Sequence, residues 1–382
     1  VRTVEVAGVG MHPFGRFDGI SATEMGVTAV RAALAEAGVG RGGFQAAFCG
    51  TAYGGVASGH RVLGAIGMTG MPIVDVEAGC ASGAAALMLA ASSITAGQYD
   101  TVLVFGIEKM PKGIIRSSFF EAWQEEAGFS PAPAYFALRA QRLQVESGVT
   151  KEHLAAVVVK NRRHGAHNRD AMFRAEVTEE SVLGSRVIAE PLHLWMLCSP
   201  DEGGAAIVLT AGDGSAPARH ASRIRLRAAV LRSHIPGPVL SESTPMAGTN
   251  DDGVPSASQL AVAAAYEEAG VAPSDLDVIE CQDTDAAREL LAYEELGLCA
   301  PGECGALLSS GDTALGGRLP VNPSGGLLSK GEPLGASGVG QVVELVRQLR
   351  GEAGLRQVEG ARVALAHTVG RGANAGVAIL SR

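Results

Sequence analysis

Long apolar runs are missing from this chain: Gly, Ser or a charged residue breaks every stretch before the roughly 20 residues that a membrane helix needs. The opening segment, VRTVEVAGVGMHPFG, carries charge at positions 2 and 5 and has no apolar core of a signal peptide. Metal-ligand spacing is absent too. Cys49, Cys80, Cys198, Cys281, Cys299 and Cys304 form no CxxC pair, which argues against a zinc site or a disulfide framework and fits a reducing cytoplasm. Positive charge is not in excess. A net charge of −9 offers no general attraction to nucleic acid or an anionic membrane, so an anionic substrate would need a local basic patch. What the chain does have is 382 residues, 47% of them hydrophobic, and 51 glycines, enough for a large core in two domains or one doubled domain.

The most informative single residue is Cys80, in VDVEAGCASGAAALMLAASSI (74–94). An apolar run ends in Gly-Cys, and a helix of small residues begins directly after it. Gly79, Ala81, Ser82 and Gly83 permit a tight strand-to-helix turn of the nucleophile-elbow kind, and the helix N-terminus presents unpaired N–H groups and a positive dipole end to the sulfur. Such a position favours a thiolate. A small buried cysteine at a close helix-sheet contact fits the same local pattern.

The chain also resembles itself. AVRAALAEAGV (29–39) lines up with AVAAAYEEAGV (261–271), ASGAAALMLAASSITAG (81–97) with ASGVGQVVELVRQLRG (336–351), and TVLVFGI (101–107) with RVALAHT (362–368). Three matches in the same order predict a duplicated α/β unit, packed through helices as a layered α/β/α/β/α body. The elbows at Cys80 and near Gly335 are expected to meet at the pseudo-twofold axis. The stretch from about 109 to 200 has no second copy and reads as an inserted loop domain. The expected halves are 1–220, which includes that insertion, and 221–382. GDGSAPARHAS (212–222) is the expected linker.

Five segments carry a family resemblance: EAGCASGAAAL around Cys80, FGIEKM (105–110), EPLHLWMLCSPDEGGAAIVLT (190–210), VNPSGGLLSKGEPLGASG (321–338) and HTVGRGANAGVAIL (367–380). In order and spacing the chain resembles the thiolase superfamily, in the branch of the sterol carrier protein X thiolase domain and the lipid-transfer-protein thiolases. The resemblance implies a five-layered αβαβα fold, at least a homodimer, an acyl-CoA substrate with its acyl group held on Cys80, and no metal or organic cofactor. It also places an oxyanion hole at the backbone of Cys80 and Gly370.

The usual bases are replaced. Gly331-Glu332-Pro333 stands where the family has Gly-His-Pro, Gln282-Asp283-Thr284-Asp285 where relatives carry His-Asp-Cys-Phe or Asn-Glu-Ala-Phe, and Thr368, beside His367, where a cysteine often acts as acid and base. Asp283, Asp285 and Glu332 are therefore expected to converge on one pocket, with Gln282, and to reshape proton transfer. The expected activity is making or breaking a carbon–carbon bond beside a CoA thioester, of acyltransferase or thiolytic type, in lipid or steroid side-chain metabolism. Two alternatives stand beside it: retro-aldol cleavage of a β-hydroxyacyl-CoA with a small OB-fold partner protein, and a non-catalytic acyl-CoA-binding subunit.

KNRRHGAHNRDAMFR (160–174) places Arg162 and Arg163 where guanidinium forks could hold CoA phosphates. Asn322, Ser329 and Ser337 are candidate polar contacts to CoA. His164 and His167 lack a third metal ligand nearby. GGLLSKGEPLG (325–335) lacks the Gly-Lys-Ser/Thr ending of a nucleotide-hydrolysing loop. Trp123, Trp195, Phe119, Phe120, Phe129, Tyr135 and Phe136 are candidates for an acyl pocket or for the core of the inserted segment.

Overall fold

The first copy of the repeat opens with β1 (Val4–Gly15), α1 (Ala22–Ala37), β2 (Ala46–Gly50), α2 (Ser58–Ile66), β3 (Ile73–Val76), α3 (Ser82–Thr95) and β4 (Thr101–Lys109). The intervening segment holds α4 (Ala122–Glu126), α5 (Ala132–Ser147), α6 (Lys151–Ala166), α7 (Glu179–Leu183) and the two-stranded hairpin β5 (Val187–Ala189) and β6 (Leu192–His193). β7 (Glu202–Ala211) closes the first sheet. The second copy comprises β8 (Ile224–Ser233), α8 (Ala257–Ala269), β9 (Val278–Cys281), α9 (Ala286–Glu295), α10 (Cys304–Ser309), α11 (Gly326–Lys330), α12 (Leu334–Arg350), β10 (Val363–Val369) and β11 (Asn374–Ser381). These coordinates are a computed structural model that describes residues 2–40, 42–68, 70–113, 115, 122–212, 223–234, 255–370 and 374–382. Phe119, Phe120 and the expected linker beyond Gly212 lie outside the described residues.

The duplication extends to the helix caps. In α1 the Ser21 hydroxyl accepts from the Glu24 N–H while the Glu24 carboxylate accepts from the Ser21 N–H; in α8, Ser256 and Gln259 repeat the same reciprocal box. Both helices end on a glycine in the left-handed region, Gly38 at φ 68° and Gly270 at φ 63°.

Among the described residues one nine-stranded sheet runs β3-β2-β4-β7-β1-β8-β11-β10-β9. On one side of its centre β2 is parallel to β4, then β7 and β1 are antiparallel; on the other β9 is parallel to β10, then β11 and β8 are antiparallel. The halves join through Val4–Val6 of β1 paired with Ile224–Leu226 of β8. α1 covers one outer face, α8 the other, and α3 and α12 pack on each other and on strands of both halves. This is the expected five-layered αβαβα thiolase fold.

Close packing at the centre demands glycine. A Cβ on Gly106 of β4 would collide with the Gly335 carbonyl, and a Cβ on Gly335 would lie 2.5 Å from the Gly50 carbonyl. The start of α12 is thereby seated directly on β2 and β4. Leu87, Ala90 and Ile94 of α3 and Val339, Val342 and Val346 of α12 fill the core between the halves. None of the described helices is long and apolar enough to cross a membrane.

Candidate active site

Cys80 lies two residues before α3, on the turn that follows β3. Gly79 takes φ 58°, its N–H donates to the Glu77 carboxylate at 2.8 Å, and the Ser82 hydroxyl donates to the Gly79 carbonyl at 2.6 Å while accepting from the Ala78 N–H at 2.9 Å. That triple tie holds the sulfur at the mouth of α3. The side chain is 2% exposed and packs with Met110, Ile115 and Leu334. Leu334 opens α12, so the two elbows of the repeat do meet.

A buried carboxylate fixes this junction. Glu108 is the penultimate residue of the apolar strand β4, and its carboxylate accepts from the N–H groups of Ala52 (2.8 Å), Tyr53 (3.1 Å) and Gly335 (3.2 Å) and from the Thr51 hydroxyl (3.3 Å). Burial pushes its carboxyl up, and the three backbone donors oppose that shift.

Opposite Cys80, Glu332 is held by its own backbone, which donates to the Ser199 carbonyl at 2.8 Å. One carboxylate oxygen accepts from the Cys198 thiol at 3.1 Å, the other from the Gln282 amide at 2.8 Å. Burial first, and then the charge of Glu332, push the Cys198 thiol far up, so it remains a thiol and a donor; Cys80 is also near enough to contribute. Beneath Glu332, the wholly buried Asp201 carboxyl has no hydrogen-bond partner among the described residues, and burial, against the opposing charges of Arg16 and Lys330, drives it far above the ordinary carboxyl range, toward the neutral acid. Gln282 Oε1 is likewise unpartnered among the described residues.

Glu332 and Cys198 reach the wall of a cavity of about 460 Å³, lined otherwise by apolar side chains such as Ile115, Phe136 and Trp195 and by Arg162 and Arg186. Cys80 is not among the described residues of that wall; Ile115, which packs on it, is.

Several expected site residues are used elsewhere. Gly370 sits against Ala78, beside the Cys80 turn, but its N–H donates to the Asn374 carbonyl at 2.6 Å, so the expected oxyanion donor is already engaged. Asp283 does not face the cavity: it caps α11, accepting from the Leu327 N–H (2.6 Å), the Leu328 N–H (3.2 Å) and the Asn161 amide (2.9 Å). Asp285 caps α9 and pairs with Arg139. The expected convergence of three acids thus reduces to Glu332. Asn322 donates to Glu289 at 2.7 Å and accepts from the Cys281 N–H at 2.9 Å, Ser329 donates to the Asn161 carbonyl at 3.0 Å, and Ser337 donates to the Pro333 carbonyl at 3.0 Å; all three are fully buried, with these hydrogen bonds made inside the protein. Arg162 and Arg163 do not form one clamp. Arg162 faces the large cavity, whereas Arg163 is exposed near Glu176 on a separate smaller one.

Of the aromatic candidates, Phe136 and Trp195 line the cavity, Tyr135 is core, and Trp123 is exposed with its ring edge-on to Phe129. His164 is a neutral clamp: one ring nitrogen faces the Asn322 carbonyl at 2.9 Å and the other accepts from the Leu315 N–H at 3.0 Å. Among the described residues no group of three or more His, Cys, Asp or Glu could hold a metal ion. Sequence reasoning missed Cys198, Asp201, Glu108 and Arg186. A signal existed for Glu108, a lone acid near the end of an apolar strand, and for Asp201, which lies within the resembling segment 190–210.

Fold and site together define an acyl-CoA-acting enzyme of the thiolase type. The chain belongs to the thiolase family: residues 4–194 match the thiolase N-terminal domain and residues 241–382 the thiolase C-terminal domain-like family. It is 36% identical to sterol carrier protein 2 of Bos taurus over 97% of this chain and 70% of that protein. It is 35% identical to the benzoylsuccinyl-CoA thiolase subunit BbsB of Thauera aromatica over 98% and 96%. Among solved structures, the Ltp2-ChsH2(DUF35) aldolase superposes with a TM-score of 0.86 at 25% identity, covering 99% of this chain and 97% of that one.

Proposed function

We propose that this chain cleaves or forms a carbon–carbon bond beside a CoA thioester by aldol chemistry, with Glu332 as the proton carrier on a β-hydroxyacyl-CoA. The observation that carries this reading is the position of Glu332 in the cavity wall, held between the Cys198 thiol and the Gln282 amide, with Cys80 not among the described residues of that wall. In the cleavage direction Glu332 takes the β-hydroxyl proton, the hydroxyl-bearing carbon becomes a carbonyl, and the bond between the α and β carbons breaks. Its electron pair stays on the α carbon as the thioester enolate, and a proton then returns to that carbon. Neither the engaged N–H of Gly370 nor an imidazole base is needed.

Thiolytic acyl transfer through Cys80 is the second reading, favoured by the elbow at the start of α3. A small OB-fold partner over the cavity mouth is part of the proposal. The aldolase neighbour is a complex with a DUF35 protein, and here Leu194 of the cavity wall is 44% exposed. Self-association as a homodimer also belongs to it, β3 being an open sheet edge with Val74 exposed. Six free thiols fit a reducing, cytoplasmic setting.

The test feeds the chain, with any subunits that co-purify, a β-hydroxyacyl-CoA, or alternatively a β-ketoacyl-CoA with free CoA. The proposal expects an aldehyde or ketone and a shortened acyl-CoA from the hydroxy substrate. Turnover of the keto substrate alone would contradict it.

A further inference from the structure

Three arginines are buried among the described residues, and two of them are neutralised. Arg288 meets Glu295 at 2.6 Å and Arg356 meets Glu344 at 2.8 Å. Arg162, 8% exposed, has no carboxylate partner among the described residues. Its guanidinium lies 4.1 Å from the Phe173 ring, and its Nε is buried without an acceptor. Burial pulls its pKa down to about 10, as expected when a cation is desolvated without an anion to compensate. Phe173 covers one face of the guanidinium, which leaves the edges of the fork for in-plane hydrogen bonds, the geometry that suits a carboxylate.

This cation stands in the same apolar cavity as Glu332, and exposed Arg186 adds a second positive charge there. Glu332, the one acid in the described wall, is occupied by Cys198 and Gln282. A purely hydrocarbon acyl chain would leave Arg162 desolvated and unpaired, a costly arrangement. We infer that the cavity receives an acyl group that itself carries a carboxylate, with Arg162 as its receptor and Arg186 as the supporting cation. This rests on the acyl-CoA reading above and narrows its substrate class to carboxyacyl-CoA thioesters.

An anionic ligand could also be a CoA phosphate, so the experiment separates the two sources. Calorimetric titration of the chain, with its co-purifying subunits, uses CoA, octanoyl-CoA and octanedioyl-CoA. The wild type should bind octanedioyl-CoA about tenfold or more tightly than octanoyl-CoA, the preference expected of a charge-assisted hydrogen bond. In Arg162→Met that ratio should fall to about one, with Arg162→Lys intermediate; thermal melts of both variants confirm folding. Equal binding of the two thioesters by the wild type overturns the inference. So does an Arg162→Met variant in which CoA alone weakens by the same factor as octanedioyl-CoA, because the cation then serves the phosphates. Should no CoA species bind, the acyl-CoA reading fails by itself, and free octanoate decides this one: binding lost in Arg162→Met upholds it, no binding overturns it.

Discussion

At the scale of single residues, the chemistry turns on Glu332 and the two side chains that donate to it. Glu332→Gln removes the base but not the volume, and turnover of a β-hydroxyacyl-CoA should fall by about 10²–10⁴-fold, measured as initial rate. Cys198 is a positioning residue whose worth lies in one hydrogen bond to a charged acceptor. Cys198→Ala should cost about tenfold in rate, whereas Cys198→Ser, which keeps a donor, should stay within about threefold. Equal losses in both variants would mean that sulfur packing, not donation, matters. Glu332 was readable from the sequence because a known pattern surrounds it, and so was Gln282. The thiol that orients Glu332 was not, since nothing in a linear sequence shows that residue 198 returns to within 3.1 Å of residue 332.

At the scale of elements, the buried polar groups act as fasteners between helices and strands. Glu108→Gln would set an amide N–H₂ against backbone donors that now face a carboxylate, and should destabilise the chain by about 3 kcal/mol in denaturant titration. His164 joins α6 to the loop near Leu315 and, by burial first, has its pKa lowered to about 3. In the unfolded chain the same imidazole titrates near ~6.5. Between those values the unfolded state binds a proton that the folded state refuses. The histidine's contribution is therefore whole above about pH 6.5 and is lost progressively as pH falls toward about 3. His164→Gln should flatten the acid limb of a stability profile between pH 6.5 and 4; an unchanged slope would show that His164 is not the titrating group. The sequence offered His164 only as an incomplete metal pair, because its real partners are backbone groups of residues 315 and 322. Asp283 and Asp285 misled for a related reason: proximity in sequence to Gln282 suggested the pocket, but helix starts at 286 and 326 claim their oxygens.

At the scale of the whole molecule, the duplication was legible because three repeated segments follow one order, and the strand pairings on the two sides of β1 and β8 reproduce it. What the repeat could not reveal is how closely the copies approach. Gly335→Ala should destabilise by more than about 4 kcal/mol or prevent folding, while Gly64→Ala, on an exposed turn of α2 with open space around it, should stabilise by roughly 0.5–1 kcal/mol. Unfolding midpoints of the pair check whether the seam between halves is the most tightly built part of the protein. That seam leaves Glu332 in the cavity wall and Cys80 packed against Ile115, and the proposed chemistry proceeds without acylating Cys80. Mass measurement of the Cys80 peptide, quenched during turnover of a β-hydroxyacyl-CoA, should find an unmodified thiol throughout; an acyl adduct on Cys80 that forms and decays at the rate of product release would refute the aldol route.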